Sequence, residues 1–198
     1  MGATNSLDRT FARMGLLSEV EIQFENARDV ENGGVLFALP ALLSAGLLKN
    51  ASRFFSLPNG YYGKASIFLF VAFFALRRIR SMEGLRYLSP GEWGKVLGLD
   101  RAPEVKTLRR KIGDLSVQGV KGWGQSLSEE WLHNGAADSV GVFYVDGHVR
   151  VYHGSQTQLP RHYVAREKLC LRATTEYWVN GLGGLPFFFV NKPVDPGL

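Results

Sequence analysis

The chain has 198 residues, 45% hydrophobic and 12% aromatic, which is enough apolar material for a buried core and excludes a disordered tail. Its net charge of +5 favours an anionic partner, nucleic acid or acidic lipid, without choosing between them. A single cysteine, Cys170, excludes an internal disulfide framework and a Cys-rich zinc site; it is expected to be a small buried apolar residue in a reducing, cytoplasmic protein.

Residues 1–26 are polar and mixed in charge, unlike a signal peptide. Ser6 to Leu17 predicts a short helix with Leu7, Phe11, Met14 and Leu17 on one face, followed by an irregular acidic link to Glu31. After the Asn32-Gly33-Gly34 break, Val35 to Phe55 is apolar and rich in helix formers. Leu57-Pro58-Asn59-Gly60 stops it before a second long helix from about Tyr62 to Arg80. Val35 to Leu48 and Ala65 to Leu76 fall short of the ~20 apolar residues a membrane span needs, and the first contains Pro40. Buried helices are therefore expected, although Arg77, Arg78 and Arg80 flank the second stretch as a membrane anchor's cations would.

Ser89 to Asp114 has the grammar of a helix-turn-helix. Ser89 can cap a helix that Pro90 opens, Glu92 completes a capping box, and Trp93, Val96 and Leu97 fall at core spacing. Gly98-Leu99-Asp100 makes the turn, with Leu99 plugging the space between two helices. The next helix restarts near Pro103, and its apolar face of Val105, Leu108 and Ile112 leaves Lys106, Thr107, Arg109, Arg110 and Lys111 exposed. Long cations and a hydroxyl on a short helix suit phosphate and guanine contacts in a major groove. Arg77, Arg78, Arg80, Arg86 and Arg101 extend the basic surface. A solvated helix face is the plainer alternative.

From Ala136 the character changes. Val140 to Val145 and His148 to His153 are β-favouring runs around Asp146-Gly147, which predicts a tight hairpin in which Asp146 is a turn residue. A polar loop follows, then a long strand from Lys168 to Asn180, a turn at Gly181 to Gly184, and a strand from Pro186 to Asn191. The domain boundary falls at Ala136 to Ser139.

Several blocks together resemble bacterial insertion-sequence transposases of the DDE type, whose catalytic fold is ribonuclease H-like. They are Asp8-Arg9-Thr10-Phe11, Gly34 to Leu43, Leu99 to Lys111, Phe143 to Gly154 and Ala173 to Asn180. The resemblance implies an α+β protein. Residues 1–137 would be a helical, helix-turn-helix-like DNA-binding region, and residues 138–198 an incomplete ribonuclease H-like antiparallel β-meander. It places the first catalytic aspartate, also a metal ligand, at Asp146. DNA contacts are expected from Arg101, Lys106, Thr107, Arg109, Arg110 and Lys111.

Such enzymes hold two Mg²⁺ ions about 3.5–4 Å apart with several carboxylates and displace at phosphorus in line. The resemblance implies a second aspartate and a later glutamate, and the sequence ends at Leu198 about where the helix after the meander is expected. The expectation is therefore a truncated transposase that binds double-stranded DNA and does not cut it alone. Glu167, Glu176 and Asp195 lack a spacing that argues for sharing a metal with Asp146, and the same holds for His148, His153 and His162. An interaction protein that modulates a full-length transposase, or associates with itself, is a second reading; a small membrane-associated protein is a third. Phe187, Phe188 and Phe189 are expected to leave apolar sheet surface exposed.

Overall fold

A computed structural model describes residues 5–134, 142–155, 157–182 and 186–192. The fold is α+β. Its helices are α1 (Ser6–Arg13), α2 (Leu39–Ser44), α3 (Ala51–Phe54), α4 (Lys64–Leu76), α5 (Pro90–Leu97), α6 (Val105–Ser116) and α7 (Val120–Asn134), with 3-10 turns at Gly33–Ala38 and Met82–Tyr87. The strands are β1 (Phe143–Val151), β2 (Arg161–Val164), β3 (Leu169–Gly181) and β4 (Pro186–Lys192). The chain divides into two compact units, Met1–Trp123 and Gly124–Leu198. The expected boundary at 136–139 lies outside the described residues.

In the first unit α4 is apolar on nearly every side, which suits a helix enclosed by its neighbours. Phe70 and Phe73 are fully buried, and Trp93 of α5 packs on Phe70 and Phe74 at ring separations of 5.6 and 5.5 Å. A second aromatic knot joins Phe55, Phe68 and Trp123, whose indole donates to the Lys49 carbonyl at 3.1 Å. Among the described residues no helix is long and apolar enough to cross a membrane.

The apolar run from Val35 to Phe55 is not the continuous helix its composition suggests. Pro40 occupies the first turn of α2, where its missing N–H costs nothing, and Asn50 takes a left-handed conformation before α3. The expected face of α1 is also reversed. Leu7, Phe11 and Met14 are exposed, while Arg9 on the other side reaches the Asp100 carboxylate. Periodicity finds a helix face; it does not say which face has a partner.

Two positions of α5 and its stop carry no side chain, which lets the Asp100–Arg101 turn and the Ile22–Gln23 segment approach the helix closely. A Cβ on Gly94 would stand 2.5 Å from the Arg101 backbone. Gly98 ends α5 at φ +65°, and a Cβ there would meet Ile22 at 2.7 Å. Leu99 is buried in the turn as expected.

Asp100, in that turn, is the centre of a polar cluster. Arg9 Nε donates to its carboxylate at 2.9 Å, the second Arg9 nitrogen pairs with the other oxygen, and Tyr61 Oη donates at 2.7 Å. The Arg9 guanidinium also lies 3.8 Å over the Tyr61 ring centroid. Burial opposes ionisation of Asp100, but Arg9 and Tyr61 outweigh it and hold the carboxyl below its ordinary value. Burial, with the bond to Asp100, pushes the Tyr61 hydroxyl up to about 12.

In the second unit β3 is central. β1 and β2 pair with it antiparallel in the order β1-β3-β2, and β4 pairs with it as well. Three sequence readings change here. β1 runs unbroken through Asp146-Gly147, with Asp146 opposite Trp178 and Gly147 opposite Tyr177, so no hairpin turn forms. The Tyr177 ring covers Gly147: a Cβ at Gly147 would lie 3.3 Å from it. β2 falls in the stretch read as a polar loop, and Cys170 is exposed rather than buried. Phe188 and Phe189 are exposed as anticipated, whereas Phe187 is half-buried, its ring 5.8 Å from that of Phe143. Residues 183 and 184 of the expected turn lie outside the described residues.

Asp100→Asn removes the charge that Arg9 and Tyr61 face. It should cost about 3–5 kcal/mol at neutral pH, the usual penalty for breaking a buried pair from one side. Because the folded-state pKa is depressed, this stability is present above the ordinary carboxylate value of about 3.9 and is lost as pH falls through the lower folded value. The gap between wild type and Asp100→Asn in urea melts should therefore close on acidification. For Tyr61, with its raised pKa, the contribution is complete below about 10 and is lost as pH rises through about 12.

Candidate functional site

The basic surface is built on α5, the turn and α6. Pro90 opens α5 as expected, but the Ser89 side chain makes no capping bond, and Glu92 pairs with Lys95 at 2.7 Å. The capping box is not formed: local pairing one turn along α5 takes the carboxylate instead. α6 begins at Val105, two residues beyond Pro103. Tyr62 Oη donates to the carbonyls of Arg101 and Ala102, both at 3.1 Å, which fixes the approach to α6.

The candidate DNA contacts divide into three kinds. Arg101, Lys106 and Arg110 are exposed, and among the described residues they enter no salt bridge. Lys106 and Arg110 are one turn apart and share a side of α6. Arg109 is exposed but paired with Glu83 at 2.6 Å, and Thr107 is half-buried.

Lys111 is buried, with its ammonium 3.4 Å from the Pro58 carbonyl, so its expected exposure is corrected. Burial, aided by Arg110, holds its pKa below the ordinary lysine value. Leu108, Lys111 and Leu115 are all buried, and three- and four-residue spacing places Lys111 between the two leucines.

A cavity of about 440 Å³ opens beside this surface, between the Met82–Tyr87 turn, the start of α5 and the Arg101–Lys106 stretch. Arg86, Arg101, Lys106 and Trp93 are among the residues lining it. Charge reading found the cations.

On the sheet, register decides which residues share a face. Asp146 stands beside Tyr144, His148 and Arg150 of β1, with Trp178 and Glu176 of β3 and Phe189 and Asn191 of β4. Asp146 is exposed, and among the described residues its side chain makes no hydrogen bond or ion pair. Glu176 lies diagonally across from it, buried, and receives Arg150 Nε at 2.6 Å.

Spacing along the chain could not bring Glu176 and Asp146 together; the period-2 run Phe143, Val145, Val149, Val151 marks one strand through Asp146-Gly147, and the register with β3 then sets Glu176 on the Asp146 face. Among the described residues no three His, Cys, Asp or Glu side chains form a group able to hold a metal. Glu176 is committed to Arg150. The described side chains thus do not fit a carboxylate-held metal pair. Asp195 lies outside the described residues.

A model of the family described as "Transposase protein" matches residues 1–198. The chain belongs to this transposase family. No curated protein and no solved structure matches it. Within this transposase the block around Asp146 is strand, and the block from Leu99 to Lys111 is the turn and most of α6.

Two substitutions separate a structural from a functional Asp146. Asp146→Ala should change stability by no more than about 0.5 kcal/mol, as at an exposed site without partners. Arg150→Met, which strands the buried Glu176 carboxylate, should cost about 1–3 kcal/mol. Denaturant melts followed by sheet circular dichroism read both. An equal loss in Asp146→Ala would make its carboxylate a structural group.

Proposed function

We infer that this transposase binds duplex DNA through the surface formed by the turn after α5 and the first turns of α6, used as a helix-turn-helix. The observation that carries the reading is the set of exposed cations Arg101, Lys106 and Arg110, without salt-bridge partners among the described residues. Cations without internal partners are available to displace counterions from phosphate, the term that supplies most of the affinity for a charged duplex. Arg109 contributes after giving up Glu83, and Thr107 acts at the flank. Lys111 supports α6 from beneath and does not touch DNA.

In this reading the sheet is the start of a ribonuclease H-like core, with Asp146 as the first carboxylate of a strand-transfer site. The support is the family, the mid-strand position of Asp146 and its freedom from structural duties. The described residues supply one uncommitted carboxylate on that face, so duplex binding is the activity assigned to them, and phosphodiester cleavage is not.

Binding to a short duplex over a range of salt tests this. Arg101→Ala, Lys106→Ala and Arg110→Ala together should weaken binding and lower the slope of log K against log salt by about 0.9 for each phosphate left unneutralised. Arg109→Ala should have a smaller effect. Unchanged affinity and slope in the triple variant would remove the DNA-binding surface from α6.

One observation favours a second role. Tyr144, Trp178 and Phe189 are exposed on the Asp146 face, with Trp178 and Phe189 at 4.6 Å between ring centroids. An exposed aromatic surface of this kind suits association with a full-length transposase or a second copy. Sedimentation of wild type against Trp178→Ser with Phe189→Ser should then show loss of an oligomer; a monomer in both would remove this reading.

A further inference from the structure

β1 is an edge strand without the usual protections. Among the described residues it pairs with β3 on one side and with no strand on the other, and Phe143 to His148 are all exposed. Natural edges are blunted by lysine, proline or a bulge. β1 contains no lysine or proline, and its register with β3 runs through all 9 residues without a shift.

One bond fixes the direction of the unpaired backbone groups. Tyr152 N donates to Arg172 O at 2.7 Å, and the register that sets Val151 opposite Ala173 sets these two residues opposite each other. Bonding alternates along an antiparallel ladder, so Tyr144, Asp146, His148 and Arg150 turn their N–H and C=O groups toward β3. Phe143, Val145, Gly147, Val149 and Val151 therefore turn theirs to the free edge.

A second copy of the same strand matches that edge. Antiparallel pairing about a two-fold axis at Gly147 sets Val145 opposite Val149 and Phe143 opposite Val151 of the other copy, so outward donors meet outward acceptors along the whole strand. Exposed Phe143 and Val145 gain apolar neighbours on one face. On the other face the same register sets Asp146 opposite His148 and Tyr144 opposite Arg150, which Glu176 already holds. These are the pairs without backbone bonds between them, whose side chains stand closest. Carboxylate meets imidazole and a phenol ring meets a guanidinium, twice each. An axis at Asp146 would instead oppose two carboxylates, and an axis at His148 would leave Phe143 and Tyr144 without partners in β1.

We propose that two copies of this chain join through the free edges of β1, antiparallel and centred on Gly147, into one continuous sheet. Main-chain bonds supply the adhesion, and the alternate side chains supply the register. The proposal is independent of the DNA-binding reading and uses the strand edge, not the Trp178 and Phe189 face.

Sedimentation of the full chain tests the interface, and cross-linking tests the register. The wild type should form a dimer that dissociates on dilution. Val145→Lys, at an exposed position, should raise the dimer dissociation constant about tenfold by placing an ammonium on the edge and removing both valine pairs. Cross-linking uses chains in which exposed Cys170 is replaced by serine. Opposed residues of such a pair lie about 4.5 Å apart at Cα, within the roughly 4.4–6.8 Å that a disulfide spans. On oxidation, a mixture of Asp146→Cys and His148→Cys chains should give a covalent heterodimer, and neither variant should cross-link alone.

A wild type that stays monomeric at every concentration would overturn the proposal. So would a dimer that survives Val145→Lys and is lost in Trp178→Ser with Phe189→Ser, which would leave the aromatic face as the interface. Cross-linking of Asp146→Cys with itself would move the axis and overturn the register. Should Val145→Lys fail to fold, the cross-linking decides.

Discussion

The carboxylate of Asp100 sits where four segments meet. Its side chain is almost wholly removed from water, a costly position for a charge without compensation. Arg9 from α1 and Tyr61 from the start of the α4 segment provide that compensation, and Tyr62 beside it holds the next two carbonyls. Gly94 permits the α5 helix to lie against this turn without a side chain between them. Arg101 thus follows directly on a residue that cannot move without exposing an unpaired charge. The cations of the candidate interface project from a fixed base, which limits the ordering entropy paid on binding.

Legibility in the sequence followed how local the determining physics was. α5, its glycine stop and α6 were readable because Pro90, Gly98 and the leucine spacing act within a few residues. Val35 to Phe55 was misread because apolar content does not specify continuity, and Pro40 and Asn50 divide it. The polarity of α1 was misread for a different reason: Arg9 is drawn inward by an aspartate 91 positions away, which no periodicity can register. Lys111 shows the same limit, since its burial is decided by the Pro58 carbonyl above it.

The sheet gives the converse case. Asp146-Gly147 carries a strong local turn preference, and β1 overrides it because alternating residues on both sides pair in register with β3 and Tyr177 covers the glycine. The family resemblance implies a role for Asp146, and the register adds what sequence spacing could not: Glu176 shares its face. Chemical meaning on a strand is set across the sheet more than along the chain.

Among the described strands, β3 is the one with which β1, β2 and β4 all pair. β2 and β4 lie near it in sequence and close short loops, whereas β1 precedes it by the whole stretch from Val151 to Leu169. Loop closure favours the nearer partners, although the growing chain delivers β1 first. The strand bearing Asp146 therefore emerges from the ribosome before β3 is free to pair with it, and during that interval its edge-forming backbone and Phe143, Tyr144 and Val145 are open to other chains. Protection of this segment in the cell is then a matter of timing and chaperone access as much as of final stability.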